Sequence, residues 1–339
     1  MPRSSCRRSI DPLKGFFGKK LGWTVALLLA VVLAAGLYFG SAAMGGATIK
    51  EETPFVIPAG SSLSAVAGKL EDEGLIQSSD GFLINARLFG SSDPIQAGEF
   101  LLTPDMSQGD ILAAFQNGDV VRRFVTIPEG MPSILVYEKL MAEDLLTGDI
   151  DVPLEGSVLP DTYAFERGQD RGEIIEQMQT AMDTYLAEAW AKRGPNIAVE
   201  TMREALILAS VVEKETGTAA ERGTVAGLYS NRVKSGMLLQ ADPTIIYPIT
   251  KGKPLGRRIR QSEIAAVNGY NTYTRVGLPE GPITNPGRES IAAVLNPEPH
   301  NYLFMVADGT GGHEFNATLE GHNAAVEKWY QLRRERGEM

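Results

Sequence analysis

From Leu21 to Met44 the chain runs 24 residues without a charge, and this run constrains the placement of everything around it. As a helix it would extend about 36 Å, enough to cross a hydrocarbon core of about 30 Å with some tilt. Arg3, Arg7, Arg8, Lys14, Lys19 and Lys20 precede it against the single acid Asp11. That bias predicts a cytoplasmic tail at residues 1–20, a transmembrane helix at 21–44 and the rest of the chain on the far side of an inner membrane, in the periplasm. Trp23 and Tyr38 fall where interfacial aromatics belong. The competing reading is a signal peptide cut near Ser41-Ala42-Ala43. The apolar run exceeds the roughly 7–15 residues of such a leader, so an uncleaved anchor is expected. The only cysteine, Cys6, then lies on the cytoplasmic side, as a lipidation site or a plain tail residue. The exported part has no disulfide and is held by its core.

Of the 32 basic and 42 acidic residues, six basic and one acidic lie in residues 1–20, so the remainder carries a net charge near −15. So acidic a body argues against nucleic acid as a partner. With 339 residues and 43% hydrophobic content the chain is long enough for two or three domains.

After a linker at 45–53, the segment 54–103 reads strand, helix, helix, strand, with Ser61 and Ser79 as helix caps and Gly74 as a stop. A short helix at 110–115 follows, closing a module at 54–120. Its βααβ order resembles LysM, a small cell-wall glycan-binding module; a structural spacer has the same order. The opening of the module then recurs. Ile57-Pro58-Ala59-Gly60 matches Ile127-Pro128-Glu129-Gly130, and Val66, Lys69, Leu70, Glu73 and Leu75 match Val136, Lys139, Leu140, Glu143 and Leu145. This second strand-turn-helix unit is read as a connector at 121–150. The last domain, 151–339, reads as loop-rich α+β. Within it, Met237 to Tyr247 reads as a strand-like piece broken at Asp242-Pro243.

The stretch from Ala205 to Gly217 reads as a helix apolar on every side for two turns, after which a carboxylate takes the place of an apolar residue. Glu213 follows Ala209 by four positions and Leu206 by seven, so it faces inward, while Glu215 lies about 200° round and faces out. A buried carboxylate without a partner raises its pKa and becomes a general acid. The plainer reading is a structural ion pair with an arginine at a helix end capped by Gly217. Asp242, before Pro-Thr, either caps a turn or sets a second carboxylate across a cleft from Glu213. Tyr270 and Tyr273 are sugar-stacking rings or core lids. Arg257, Arg258 and Arg260 form a basic cluster, either a solvated loop or a contact for peptide carboxylates. His300, His313 and His322 lack zinc-site spacing, so neither metal nor cofactor is expected.

These motifs together resemble the endolytic murein transglycosylase family (MltG, YceG-like). The residues that carry the resemblance are Leu208-Ala209-Ser210-Val211-Val212-Glu213-Lys214-Glu215-Thr216, Asn231-Arg232-Val233, Leu239-Gln240-Ala241-Asp242-Pro243-Thr244 and Tyr270-Asn271-Thr272-Tyr273. Gly277-Leu278-Pro279, Gly281-Pro282-Ile283, Asn285-Pro286-Gly287 and His313 with Phe315 follow in the expected order. The chain departs from the family at Ser157, Val158 and Leu159, where a bulky Tyr-Leu-Phe run is commoner, and at Glu280, where proline is.

The resemblance implies that 151–339 is a transglycosylase domain with Glu213 as its catalytic residue. It also implies that Glu155, Asp161, Tyr163, Gln240, Asp242, Thr244, Tyr247, Asn271, Tyr273 and Asn285 line the substrate site. It implies cleavage of the bond between N-acetylmuramic acid and N-acetylglucosamine in nascent peptidoglycan strands at the inner membrane, leaving 1,6-anhydro ends and limiting strand elongation. Peptidoglycan synthase complexes are the implied partners. Chemically, one glutamate with a pKa raised to about 6 gives a proton to the leaving oxygen and later takes one back. A hydrolase on the same scaffold would need a second carboxylate, and a glycan-binding scaffold would need no Glu213 at all.

Overall fold

Two short antiparallel strands frame the first part of the chain: β1 (Thr53–Ile57) pairs with β2 (Gly98–Leu102), Phe55 opposite Phe100. The computed structural model describes residues 23–34, 36 and 47–338, which divide into two units at Val121 and Arg122. Residues 23–34 form a helix, α1, with every side chain exposed. Among the described residues no helix is long and apolar enough to cross a membrane. The rest of the expected span at 21–44, apart from residue 36, and the tail at 1–20 lie outside the described residues.

In the first unit, α2 (Leu63–Asp72) and α3 (Ser79–Phe89) lie between the strands, and α4 (Gln108–Asn117) follows. The caps are Ser62, which accepts from the Ala65 N–H, and Ser78, which accepts from the Gly81 N–H, one residue after and one residue before the expected serines. Phe55, Val66, Leu70, Phe82, Phe100, Ile111 and Phe115 make the core.

The second unit begins with the repeat. β3 (Arg122–Thr126) leads through Pro128–Met131 into α5 (Ser133–Met141), as β1 leads through Pro58–Ser61 into α2. Both turns close with a bond to the proline carbonyl, from Ser61 N at 3.2 Å and Met131 N at 3.2 Å. Both place a glycine at positive φ, Gly60 at 78° and Gly130 at 71°, where a side chain would be strained. β3 pairs with β4 (Thr162–Glu166), Phe124 opposite Ala164, so the segment read as a separate connector at 121–150 shares a sheet with the domain after it.

The body of this unit is helical: α6 (Arg171–Ala191), α7 (Met202–Glu215), α8 (Arg222–Lys234), α9 (Pro243–Thr250), α10 (Gln261–Ile264) and α11 (Arg288–Leu295). A hairpin of β5 (Phe304–Ala307) and β6 (His313–Asn316) precedes the last helix, α12 (Leu319–Glu335). α9 corrects the strand expected across Met237 to Tyr247. Pro243 occupies the first turn, where its missing N–H costs nothing, and this outweighs the β-branched Ile245 and Ile246. α7 starts at a capping box between Thr201 and Glu204 and buries Ala205 and every residue from Ile207 to Val212. At its end the Thr216 N–H bonds Val212 O, in place of a left-handed Gly217 cap. Gly217 is a glycine for another reason: a Cβ there would lie 2.6 Å from the Gly311 carbonyl oxygen.

Candidate active site at the end of helix α7

The last turn of α7 carries Glu213, half-buried. Its Oε2 accepts the Gly287 N–H at 3.0 Å and the Ser290 hydroxyl at 2.6 Å. Gly287 is the N-cap of α11, so the Asn285-Pro286-Gly287 turn presents a helix N-terminus to the carboxylate, where a negative charge is favoured. The glutamate therefore has hydrogen-bond partners, unlike the carboxylate without a partner that was one of the two readings open from the helix alone.

The Pro128–Met131 turn covers another side. A Cβ on Gly130 would stand 3.3 Å from Glu213 Cγ, while Lys214 Nζ reaches Gly130 O at 3.4 Å. The turn is tied to the α11 approach: Gly130 N donates to Asn285 O at 2.9 Å. Within it, Glu129 faces Arg222 at 3.5 Å, and Arg222 also pairs with Glu289. Burial pushes the Glu129 carboxyl up, and the charge of Glu213 pushes it further, against Arg222.

Glu155 stands behind this turn and accepts the Ser133 N–H at 2.9 Å. Burial raises its carboxyl to about 7, while the bonds from Ser133 and Tyr247 and the charge of Lys214 oppose the rise. Tyr247 packs its ring 4.8 Å from that of Tyr270. Asp161 pairs with Arg288, the first residue of α11, at 2.9 Å, and Tyr163 donates to Leu159 O at 2.6 Å. Glu155, Tyr247 and Asp161 are thus attached to the same loops and helix end that hold Glu213.

Three residues expected to line the site are fully buried and fasten loops instead. Asn285 accepts the Val158 N–H at 3.1 Å and donates to Met131 O at 2.9 Å and to Ser133 Oγ at 3.1 Å. Asn271 donates to Ile264 O at 2.9 Å and Ala266 O at 2.6 Å. Thr244 donates to Ala241 O at 2.6 Å and bonds the Thr272 hydroxyl at 2.8 Å. Gln240 is exposed with φ 50°, its N–H bonded to Thr272 O.

A separate polar group forms on another side of the α7 end. Asp242 accepts the Tyr273 hydroxyl at 2.6 Å, and Glu215 accepts the Tyr229 hydroxyl at 3.1 Å. Glu215 was expected to face out. It is largely enclosed, and burial, with the nearby charge of Asp242, raises its carboxyl to about 7. Asp242 is therefore engaged by Tyr273. In the basic cluster, Arg257 forms a two-pronged pair with Glu263.

Glu129, Ser290, Arg222 and the inward Glu215 were not singled out from the residues. For Glu129 a signal exists: the repeat places Ala59 at the corresponding position of the first copy, so the second copy alone carries a carboxylate.

The model of the YceG-like family matches residues 55–328. The chain belongs to the YceG-like family. Among curated YceG-like relatives, the endolytic murein transglycosylase of Bacillus subtilis (strain 168) is 29% identical over 317 residues, covering 83% of this chain and 85% of that protein. The endolytic murein transglycosylase of Streptococcus pneumoniae serotype 2 is 29% identical over 356 residues, covering 88% of this chain and 63% of the relative. A solved yceG-like protein from Listeria monocytogenes superposes with a TM-score of 0.51 at 28% identity, across 81% of this chain and 99% of that one.

Proposed function

We propose that this chain is an endolytic murein transglycosylase in which Glu213 is the acid and then the base. The observation that carries this reading is the placement of Glu213: a half-buried carboxylate at the end of a buried helix, oriented by the Gly287 N–H and the Ser290 hydroxyl. The names of the Bacillus and Streptococcus relatives support the substrate. In the first step Glu213 gives its proton to the glycosidic oxygen, which leaves as the 4-hydroxyl of N-acetylglucosamine as the bond to C1 of N-acetylmuramic acid breaks. The 6-hydroxyl oxygen of the same muramic acid bonds C1, and its proton returns to Glu213. No water is consumed and the enzyme regains its starting state.

Glu155, Tyr247 and Tyr270 form the sugar-facing wall beside Glu213 in this reading, with Asp161 and Tyr163 at the α11 side. Asn285, Asn271 and Thr244 act by fixing the loops, and Gln240, Asp242 and Tyr273 form the far side. Hydrolysis would call for a second acid or base; the engagement of Asp242 by Tyr273 weighs against Asp242 in that part.

The reading extends to the whole chain. Residues 21–44 anchor it in the inner membrane with the active unit in the periplasm, supported by the exposure of Trp23, Leu27 and Leu33 on an apolar helix. The module at 54–120 is a LysM-like glycan contact, and the anchor keeps cleavage near strands being polymerised, beside peptidoglycan synthases.

The test is mass spectrometry of fragments released from uncrosslinked peptidoglycan strands by the full chain in detergent, wild type and Glu213→Gln. Internal fragments with anhydro ends, lighter by one water than hydrolysed ones and absent with the variant, are expected. Reducing ends, or unchanged cleavage by the folded variant, overturn the reading. Release of the protein from membranes by alkaline carbonate would overturn the anchor separately.

A further inference from the structure

Gly287 touches two carboxylates at once. Its N–H donates to Glu213 Oε2 at 3.0 Å, and the place where its Cβ would stand is filled by the Glu129 carboxylate. The neighbouring Gly130 brings its own Cα face to Glu213 Cγ, with 3.3 Å left for a Cβ. Two glycines, each without a side chain where one would intrude, let the Glu129 and Glu213 side chains share one small volume. We propose that Glu129 is a second carboxylate of the reaction site, a positioning residue that holds one proton jointly with Glu213 and so keeps an acid ready for the first transfer.

The surroundings fit that role. Glu213 has two hydrogen-bond donors, Gly287 N–H and Ser290 Oγ–H, which fix its carboxylate beside Glu129. The charge of Glu213 acts on Glu129, and two neighbouring carboxylates do not both ionise freely. The charged groups around the pair are Arg222 at the start of α8, Glu289 on α11, and Lys214, whose ammonium reaches the Gly130 carbonyl. Arg222 holds Glu129 toward the site while pairing Glu289, and it sets how firmly the pair keeps its proton. Burial and the charge of Glu213 both raise the Glu129 carboxyl. The repeat agrees: the first copy of the turn, with no glutamate helix end beside it, has Ala59 in this place.

This inference rests on the transglycosylase reading. Its test is the pH–rate profile of strand cleavage by the full chain in detergent, for wild type, Glu129→Gln and Arg222→Gln. Without the Glu129 charge the shared proton is lost more easily, so the alkaline limb moves about one pH unit lower. Cleavage relative to wild type then falls roughly tenfold further above the limb than below it. Without Arg222 the limb moves the opposite way. Limbs unmoved in the folded variants, whatever the rate, overturn the inference, as does a shift of the same sign in both. If Glu129→Gln does not fold, an Arg222→Gln limb that fails to rise overturns it alone. The ends of the wild-type products are read in parallel: reducing ends defeat the transglycosylase reading, whereas anhydro ends with unmoved limbs defeat only the shared proton.

Discussion

Ser290 Oγ donates a 2.6 Å hydrogen bond to Glu213 Oε2 from the first turn of α11, and Ser290 is itself fully buried. The bond joins the helix that carries the acid to the helix whose N-terminus faces it. Ser290→Ala removes the bond and little else, since the methyl fits the space. A hydrogen bond to a charged group contributes about 1.5–3 kcal/mol, so strand cleavage should fall roughly 10- to 100-fold. Thermal melting should move by only a few degrees, and steady-state cleavage with a parallel melt checks both.

Gly287→Ala separates the two carboxylates by steric means. The φ of Gly287 is −74°, open to any residue, so the backbone tolerates the change. The new methyl would occupy the position of the Glu129 carboxylate, and that side chain must swing away from Glu213. The expected result is a stable protein whose alkaline limb shifts in the same direction as in Glu129→Gln. A pH–rate profile of the variant beside Glu129→Gln measures this.

Asn285→Ala should weaken the fold before it touches the chemistry. Its side chain serves Val158 N, Met131 O and Ser133 Oγ from a fully buried position. Their loss leaves buried groups unpaired at a cost of roughly 2–4 kcal/mol. Denaturant unfolding checks the stability. Glycan-strand affinity measured below the transition midpoint, on the fraction still folded, should stay within a few-fold of wild type.

These contrasts show what could be read from the residues and what could not. Helix α7 and its inward Glu213 were legible, because an apolar run on all sides followed by a carboxylate is a strong pattern. Glu215 was misread for the same reason: periodicity assigns a far side to solvent, but a helix buried all round has no solvent side, and Tyr229 waits there. Asn285, Asn271 and Thr244 entered as site-lining residues through the family resemblance, which does not say what each side chain bonds. Buried loops must also satisfy their own backbone N–H and C=O groups, and these side chains are used for that. The repeat was visible as a pattern, whereas the meaning of Glu129 within it depended on the distant α7 and α11 meeting at Gly287.

Glu215 and Glu155 give the protein a stability that declines toward neutral pH. Burial raises both carboxyls to about 7 from an ordinary 4.5. Between these values the folded chain holds protons that the unfolded chain has released, so stability is full below about pH 4.5 and is lost as pH rises through about 7. Each group accounts for at most about 3 kcal/mol across that window. Glu215→Gln keeps the shape and removes one titration, so its denaturant midpoint should vary less between pH 4.5 and 7.5 than that of wild type. Glu155→Gln should do the same, and with both replaced most of the slope should vanish. A slope retained in full by Glu215→Gln would mean that Tyr229 holds a charged carboxylate there at all these pH values.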